Sequence, residues 1–295
     1  MPNFPTDVFV LDRQGLLAAR LERNGKGPRI AAARHHRFQI DPFVEAAVTP
    51  SLEDASALSE AVRRAQREAG RLDRASLLLP DSWFRMNLLD LPTGDRSTSP
   101  VELIRWAVKR TLPIRPEEMR FAWVPLAKSA AGSHVLALGA VDGTLSRIEA
   151  SFRDAGVTLV LIEPVGLNVW NALAASTTDA ASTRLFFHVG ETEFTTALFQ
   201  GPTPLFVRSR NLGGGRSLQQ EIALSASYMK SRLEWNTPSE SWVAGQVDDG
   251  VGQAIESEFG APVRRLRLGD VTSSAPDEAG RWEAELLGCV GVFTA

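Results

Sequence analysis

The feature that most constrains this chain is a pattern it carries twice. Residues 6–12 (TDVFVLD), 16–22 (LLAARLE) and 28–34 form three successive strand patterns. Tight turns at Arg13-Gln14-Gly15 and Asn24-Gly25-Lys26-Gly27 join them. Behind residue 181 the order returns: RLFFHVG, EFTTALFQ and PLFVRSR make three more short-turned strands. Helix–strand alternation follows in both places. A meander that leads into such alternation, twice over, points to a duplicated α/β architecture.

After the first meander, Leu58, Ala61, Val62, Ala65 and Ala69 fall at helical spacing from about residue 52, and Gly70 stops them. The apolar strands ASLLLP and FRMNLLDLP come next. Ser99 as N-cap, Pro100 at the first helical position and Glu102 completing a capping box predict a further helix, with a buried stripe of Val101, Ile104, Val108 and Leu112. Strands are expected over 119–126 and 134–141, then a helix from Asp142 to Ala155 ended by Gly156. VTLVLIEP is apolar on both faces and is expected to be a central strand covered from both sides. A short helix over 165–175 leads to an expected linker at Ser176-Thr177-Thr178-Asp179-Ala180. In the second half a helix over 217–234 places Leu218, Ile222, Ser225, Met229 and Leu233 on one face. The strand SWVAG, a helix over 248–259, a strand over 262–267 and a helix from 277 complete the pattern.

Composition excludes several classes. With 44% hydrophobic and 23% charged residues the chain is globular rather than disordered. Its net charge of −3 is spread along the sequence, and without a basic face nucleic acid is not an expected partner. Cys289 is the single cysteine, so no internal disulfide or cysteine-rich metal site forms, which suits a reducing cytosol. No apolar run reaches the roughly 18–20 residues that cross a bilayer. MPNFPTDVFVLD carries an acid early and lacks a basic region ahead of an apolar one, so it is not read as a secretory signal. Direct membrane insertion is therefore not expected.

Few local motifs carry chemistry. Lys26 and its glycines lack phosphate-loop spacing and suit a hairpin turn. Gly213-Gly214-Gly215-Arg216-Ser217 precedes a helix and could offer free amides to an anion; close strand–helix packing through a glycine turn is the plainer explanation. His35-His36 end a strand with no second ligand at helical spacing, and are expected to be exposed strand residues rather than metal ligands. His134 has no partner in sequence, and His188 in a strand suits a satisfied structural histidine better than a base. No Gly-x-Ser-x-Gly, His-Glu-x-x-His or Cys-x-x-Cys occurs, and no catalytic or metal-binding residue is assigned. Trp83-Phe84, Trp106, Trp123 and Trp170 default to the core. Arg105-Trp106 on a capped helix stands out, because arginine and tryptophan are enriched at binding hot spots.

Three segments carry a family resemblance that is clearest over residues 74–172: LLLPDSWFRMNLLDLP, PVELIRWAVKRTLPIRPEEMRFAWVPL and VLALGAVDGTLSRIEASFRDAGVTLVLIEPVGLNVWNAL. They resemble the PilM family of type IV pilus assembly, with the cytoplasmic part of GspL from type II secretion and MshI-type proteins as similar relatives. The resemblance implies an actin-like α/β fold of two related halves. Residues 1–36 and 159–180 would make the first half, 37–158 an inserted subdomain, and 181–295 the second half. A single helix crossing from Gly215 to Ser241 implies that the second half lacks its helical subdomain.

In actin-like ATPases an Asp-x-Gly hairpin in each half offers amides to the phosphates and aspartates to metal and water. Here Asp12 is followed by Arg13, Gln14 and Gly15 in a shortened turn. His188 stands before Val189-Gly190 where an acid is expected, and it is a poor substitute toward Mg²⁺, which prefers oxygen ligands. The adenosine turn keeps Ala244 and Gly245, then continues Gln246-Val247-Asp248. Asp12, Gln14, Gly15, His188, Gly190, Gly213, Gly214, Gly215 and Gly245 are thus the positions of a degenerate nucleotide site. No cofactor is expected; ATP and Mg²⁺ are the groups this fold would otherwise take.

The resemblance further implies a non-enzymatic cytoplasmic scaffold, peripheral to the inner membrane through its partners, in a pilus or type II secretion-like platform. A PilN-like or GspM-like inner-membrane protein would be its partner, with the assembly ATPase as another. A PilN-like N-terminal segment would lie between the first half and the insert, and Arg105 and Trp106 are the candidate contacts. The alternative is an ATP-binding actin-like ATPase or switch with unusual phosphate loops.

Overall fold

The computed structural model describes residues 5–25, 27–70, 72–92, 99–129, 132–176, 182–212, 215–232 and 237–294. The first half opens with β1 (Asp7–Leu11), β2 (Gly15–Asn24) and β3 (Gly27–Arg37). A small ribbon of β4 (Phe43–Val44) and β5 (Ser51–Leu52) follows, then α1 (Ala55–Ala69) and β6 (Arg74–Leu79). Next come β7 (Arg85–Pro92), α2 (Pro100–Val108), β8 (Met119–Ser129), β9 (Gly132–Val141), α3 (Asp142–Asp154), β10 (Thr158–Pro164) and α4 (Val165–Ser176). The second half contains β11 (Thr183–Val189), β12 (Glu193–Gln200), β13 (Thr203–Asn211), α5 (Leu218–Arg232), β14 (Glu240–Gly245), α6 (Asp249–Phe259), β15 (Val263–Arg265), α7 (Leu268–Val271) and α8 (Glu283–Thr294).

The duplication is topological. The sheets run β10-β6-β1-β2-β3 and β13-β12-β11-β14-β15, so each is a meander extended by two parallel strands from its first strand. β1 shows the two-residue period that a central strand needs. Phe9 and Leu11 pack with Leu58, Val62, Ile148 and Phe152 of α1 and α3. Val8 and Val10 face a core shared with α4, α8 and the second sheet, where Val169, Leu173, Leu287, Phe186 and Ala197 meet. Phe187, Ile222, Met229 and Ile255 close the far side of the second sheet under α5 and α6. The layers alternate helix, sheet, helix, sheet, helix.

The middle layer is tightly fitted. A Cβ on Gly291 of α8 would lie 1.7 Å from the Asn168 carbonyl oxygen of α4, so these helices meet backbone to backbone. Trp170 of α4 stacks on Phe199 of β12 with ring centroids 3.5 Å apart. Cys289 is fully buried in the same core.

Several expectations change. β10 is an edge strand, not a central one. Val160 is an extra residue in its pairing with β6 and stands 37% exposed, a bulge of the kind that blunts a sheet edge. The segment 37–158 is not a body apart. β6 pairs with β1, and α1 and α3 cover that sheet, because the alternating leucines of β6 feed both cores. The part that stands apart is β7-α2-β8-β9, a sheet in the order β7-β9-β8 with Ile104 of α2 packed on Leu91, Val135 and Ala137.

Ser99 caps α2 by accepting from Glu102 N, but the helix ends at Val108, so its buried stripe is Ile104 and Val108 and does not reach Leu112. Between Gly215 and Ser241 the described residues form one helix, α5, and no separate lobe. Ser176 belongs to α4; Thr177, Thr178, Asp179, Ala180, Lys26 and Leu233 lie outside the described residues. Among the described residues no helix is long and apolar enough to cross a membrane.

Gly291→Ala should lower unfolding stability by about 1–3 kcal/mol, the usual cost of overpacking. Gly269→Ala, where a Cβ meets open space, should have little effect. Urea unfolding of the two variants checks the contrast, and equal stabilities would remove the α4–α8 contact as a constraint.

Candidate functional site: the cleft between the halves

The two hairpin turns face each other across a cleft of about 790 Å³, lined by Asp12, Arg13 and Gln14 on one side and Gly190, Glu191 and Thr192 on the other. Asp12 Oδ1 accepts from the amides of Gln14 (2.7 Å) and Gly15 (2.9 Å). The turn's own acid therefore consumes the amides that a phosphate would need. A Cβ on Gly15 would lie 2.7 Å from the His36 carbonyl oxygen, so packing on β3 already demands glycine there. Gln14 Nε2 donates across the cleft to Glu191. Arg13 pairs with Asp41 (2.6 Å) and Glu45 (2.5 Å).

The cleft floor is a junction of charged groups. Asp81 lies in the 3-10 turn over 81–83 behind β6 and is fully buried. Its Oδ1 accepts from Gly166 N at the start of α4 (2.7 Å), and its Oδ2 meets His188 Nδ1 of β11 at 3.3 Å. Glu193, the first residue of β12, accepts from the amides of Asp81 and Ser82, each at 2.8 Å. Two buried side chains of the second half thus hold one turn of the first. A Cβ on Gly166 would fall 2.0 Å from Asp81 Oδ2, so the junction needs glycine there.

Burial works against a charged His188. The hydrogen bond and charge of Asp81, with Glu193 and Glu285, outweigh that cost and raise its pKa. Burial, then the charge of Asp81, pushes Glu193 up to about 7. Glu285 of α8 is also raised, first by burial; the His188 charge opposes this, while Asp12 and Glu191 add to it. The donor atoms of Asp81, His188 and Glu193 lie within 4.8 Å of one another, close enough to share a cation. Each also has a protein partner, which accounts for the cluster as a junction.

The structure brings Asp12, Gln14, Gly15, His188 and Gly190 to this cleft, where Gly190 N donates to the Glu193 carbonyl oxygen at 2.9 Å. Gly245 has φ +100°, and a Cβ there would lie 2.0 Å from the Val189 carbonyl oxygen, so backbone approach between β11 and β14 explains it. Gly215 has φ +86° with open space around it, while Gly213 and Gly214 lie outside the described residues. Gln246 lines the cleft, and Asp248 caps α6 by accepting from Val251 N.

Arg105 and Trp106 sit on α2, outside this lining. Trp106 is 82% exposed, on the side of α2 away from Ile104 and Val108, and so is not a core residue. Arg105 is half-buried, 3.9 Å from Glu102. Trp123 and Val124 are exposed on β8, the edge of the small sheet, whereas Trp83, Phe84 and Trp170 are buried. His36 is buried rather than exposed, and His35 packs on Trp282. His134 pairs with Asp90 at 2.8 Å.

Asp81, Gly166, Glu193 and Glu285 were not distinguishable as site residues in the sequence. The usable signal was an acid set against an apolar strand run, as in LLLPD and GETEF.

Comparison with known proteins places this geometry in a fold. No protein-family model and no curated protein matches the sequence. The structure is similar to a chain of the PilM-PilN type IV pilus biogenesis complex, with a TM-score of 0.77 and 16% identity over 100% of both chains. It is also similar to a Bacteroides thetaiotaomicron protein of actin-like ATPase fold and unknown function, at TM-score 0.58 and 12% identity over 98% and 99% of the two chains. A third similar structure is the cytoplasmic domain of EpsL, an inner-membrane component of the Vibrio cholerae type II secretion system. There the TM-score is 0.54 and the identity 10%, over 98% and 94%. The fold is actin-like, and the resemblance to PilM and GspL carried by residues 74–172 recurs in three dimensions.

Glu193 and His188 both bind protons more firmly in the folded chain than at their ordinary values of 4.5 and 6.5. Their contribution is complete below those values. It is lost as pH rises through about 7 for Glu193 and through the raised value for His188. Unfolding at constant ionic strength should show the protein less stable at about pH 8 than at about pH 6, by on the order of 1 kcal/mol. Glu193→Gln should flatten that slope. An unchanged slope would show that the junction does not titrate in this range.

Proposed function

We propose that this protein is a non-enzymatic assembly component that holds a PilN-like inner-membrane partner in a pilus or type II secretion-like platform. The observation that carries this reading is the exposed apolar side chains of the β7-α2-β8-β9 subdomain: Trp106 stands 82% exposed on α2, and Trp123 and Val124 are exposed on β8. Exposed tryptophan beside arginine is the composition of a binding hot spot, and burying such a ring contributes at about 25 cal/mol per Å². The full-length likeness to a chain of a PilM-PilN complex supports a PilN-like partner, and a GspM-like protein is a further candidate. In this reading the chain works in the cytoplasm, peripheral to the inner membrane through that partner, and the assembly ATPase is a further candidate.

The cleft supports the non-enzymatic half of the proposal. A Mg²⁺–triphosphate would need free turn amides and carboxylates open to hydrated metal. Asp12 closes the first turn on itself, Gln14 and Glu191 join the turns, and Asp81, His188 and Glu193 are spent on one another. These residues do not fit the group. The cleft volume of about 790 Å³ is the one observation that favours the nucleotide-switch alternative.

Trp106→Ala and Arg105→Ala should each weaken capture of a PilN-like N-terminal segment about tenfold or more, roughly 1.4 kcal/mol. Stability should change by under about 1 kcal/mol. Fluorescence anisotropy measures the first effect and urea unfolding the second. Variants that bind like the parent would take the site off α2. A thermal shift on Mg-ATP that follows RT ln(1 + [L]/Kd) would favour the alternative.

A further inference from the structure

The cleft is electrically divided. Asp12, Glu191, Glu193 and Glu285 make its floor acidic around His188, whereas the end where β7 approaches β13 is basic. Arg85 begins β7 in the first half and is half-buried, with one N–H donating to the Ala47 carbonyl oxygen at 2.9 Å. Arg210 comes from β13 in the second half and lines the same cavity. No carboxylate among the described residues pairs with either guanidinium. Burial and the charge of Arg210 both depress the Arg85 pKa, and no acid opposes them. Behind them Arg208 and Arg216 share Glu221, at 2.6 and 3.3 Å, so that local acid is already engaged. Ser209 Oγ, on the same wall, is buried without a hydrogen-bond partner.

Two guanidiniums drawn together from opposite halves repel each other, and an anion between them would reverse the sign of that interaction. We propose that Arg85 and Arg210 form, across the cleft, a binding site for a small oxyanion of the phosphate class. A tetrahedral oxyanion presents two differently oriented oxygen edges to two planar forks, and its oxygens keep further lone pairs for the Ser209 hydroxyl. A carboxylate has a single plane of oxygens, which one fork satisfies. The site uses neither hairpin turn, so it stands whether or not the cleft takes a nucleotide. It is likewise independent of the partner surface on α2. Occupancy would tie the insert to the second half.

The test is titration of sodium phosphate into the full chain at constant ionic strength, followed by thermal unfolding and by calorimetry. Binding should be one to one, with the midpoint rising as RT ln(1 + [L]/Kd). Arg85→Gln and Arg210→Ala should each weaken it about tenfold or more, while Arg264→Ala, remote on β15, should not. Arg210 is exposed and makes no ion pair among the described residues, so its variant keeps the test decisive should Arg85→Gln fail to fold. The absence of a phosphate-dependent shift in the parent would overturn the proposal, as would an undiminished shift in both variants. Malonate binding as tightly as phosphate would overturn the assignment to the phosphate class.

Discussion

The backbone contact between α4 and α8 is the constraint on which the rest of this structure depends. With no Cβ at Gly291, the two helices lie close enough for sheets on either side to share one core, from Val8 and Val10 to Phe186 and Ala197. The same helices set the cleft. α4 presents its first amides at the floor, where Gly166 N reaches Asp81, and α8 brings Glu285 to the same place. The separation across the middle layer is therefore what lets His188 of one half meet Asp81 of the other.

Chemistry follows from that meeting. Acids buried around one imidazole cannot all stay charged without cost, so the junction retains protons that the free side chains would release. Its hydrogen bonds run between the halves, so side chains make the connection that a ligand makes in a cleft built to hold one. This fits a reading in which the chain presents a fixed surface to a partner, with Trp106 outward on the insert and the cleft behind it partly closed on itself.

The local pattern exposed most of the elements and misjudged some of their positions. VTLVLIEP has the composition of a covered strand, but β10 lies at a sheet edge, because the apolar residues of an edge strand still face cores on either side of its sheet. Trp106 had the composition of a core residue. It is exposed because the pitch of α2 that buries Ile104 and Val108 turns it outward. The histidine at 188, where the resemblance implies an acid, was visible in the sequence; its partner Asp81 was not.

By itself the sequence determined what depends on neighbours along the chain: the two meanders, the cap at Ser99, the stop at Gly70 and the single helix leading to β14. Those features follow from side-chain period and turn chemistry, which act over a few residues. Tertiary structure alone decided which distant groups meet. Asp81 and His188 are 107 residues apart, and Glu193 lies 112 residues from the amide it accepts from. No periodic or spacing signal records such a pairing, because it arises only when two separately patterned halves are packed against a common pair of helices.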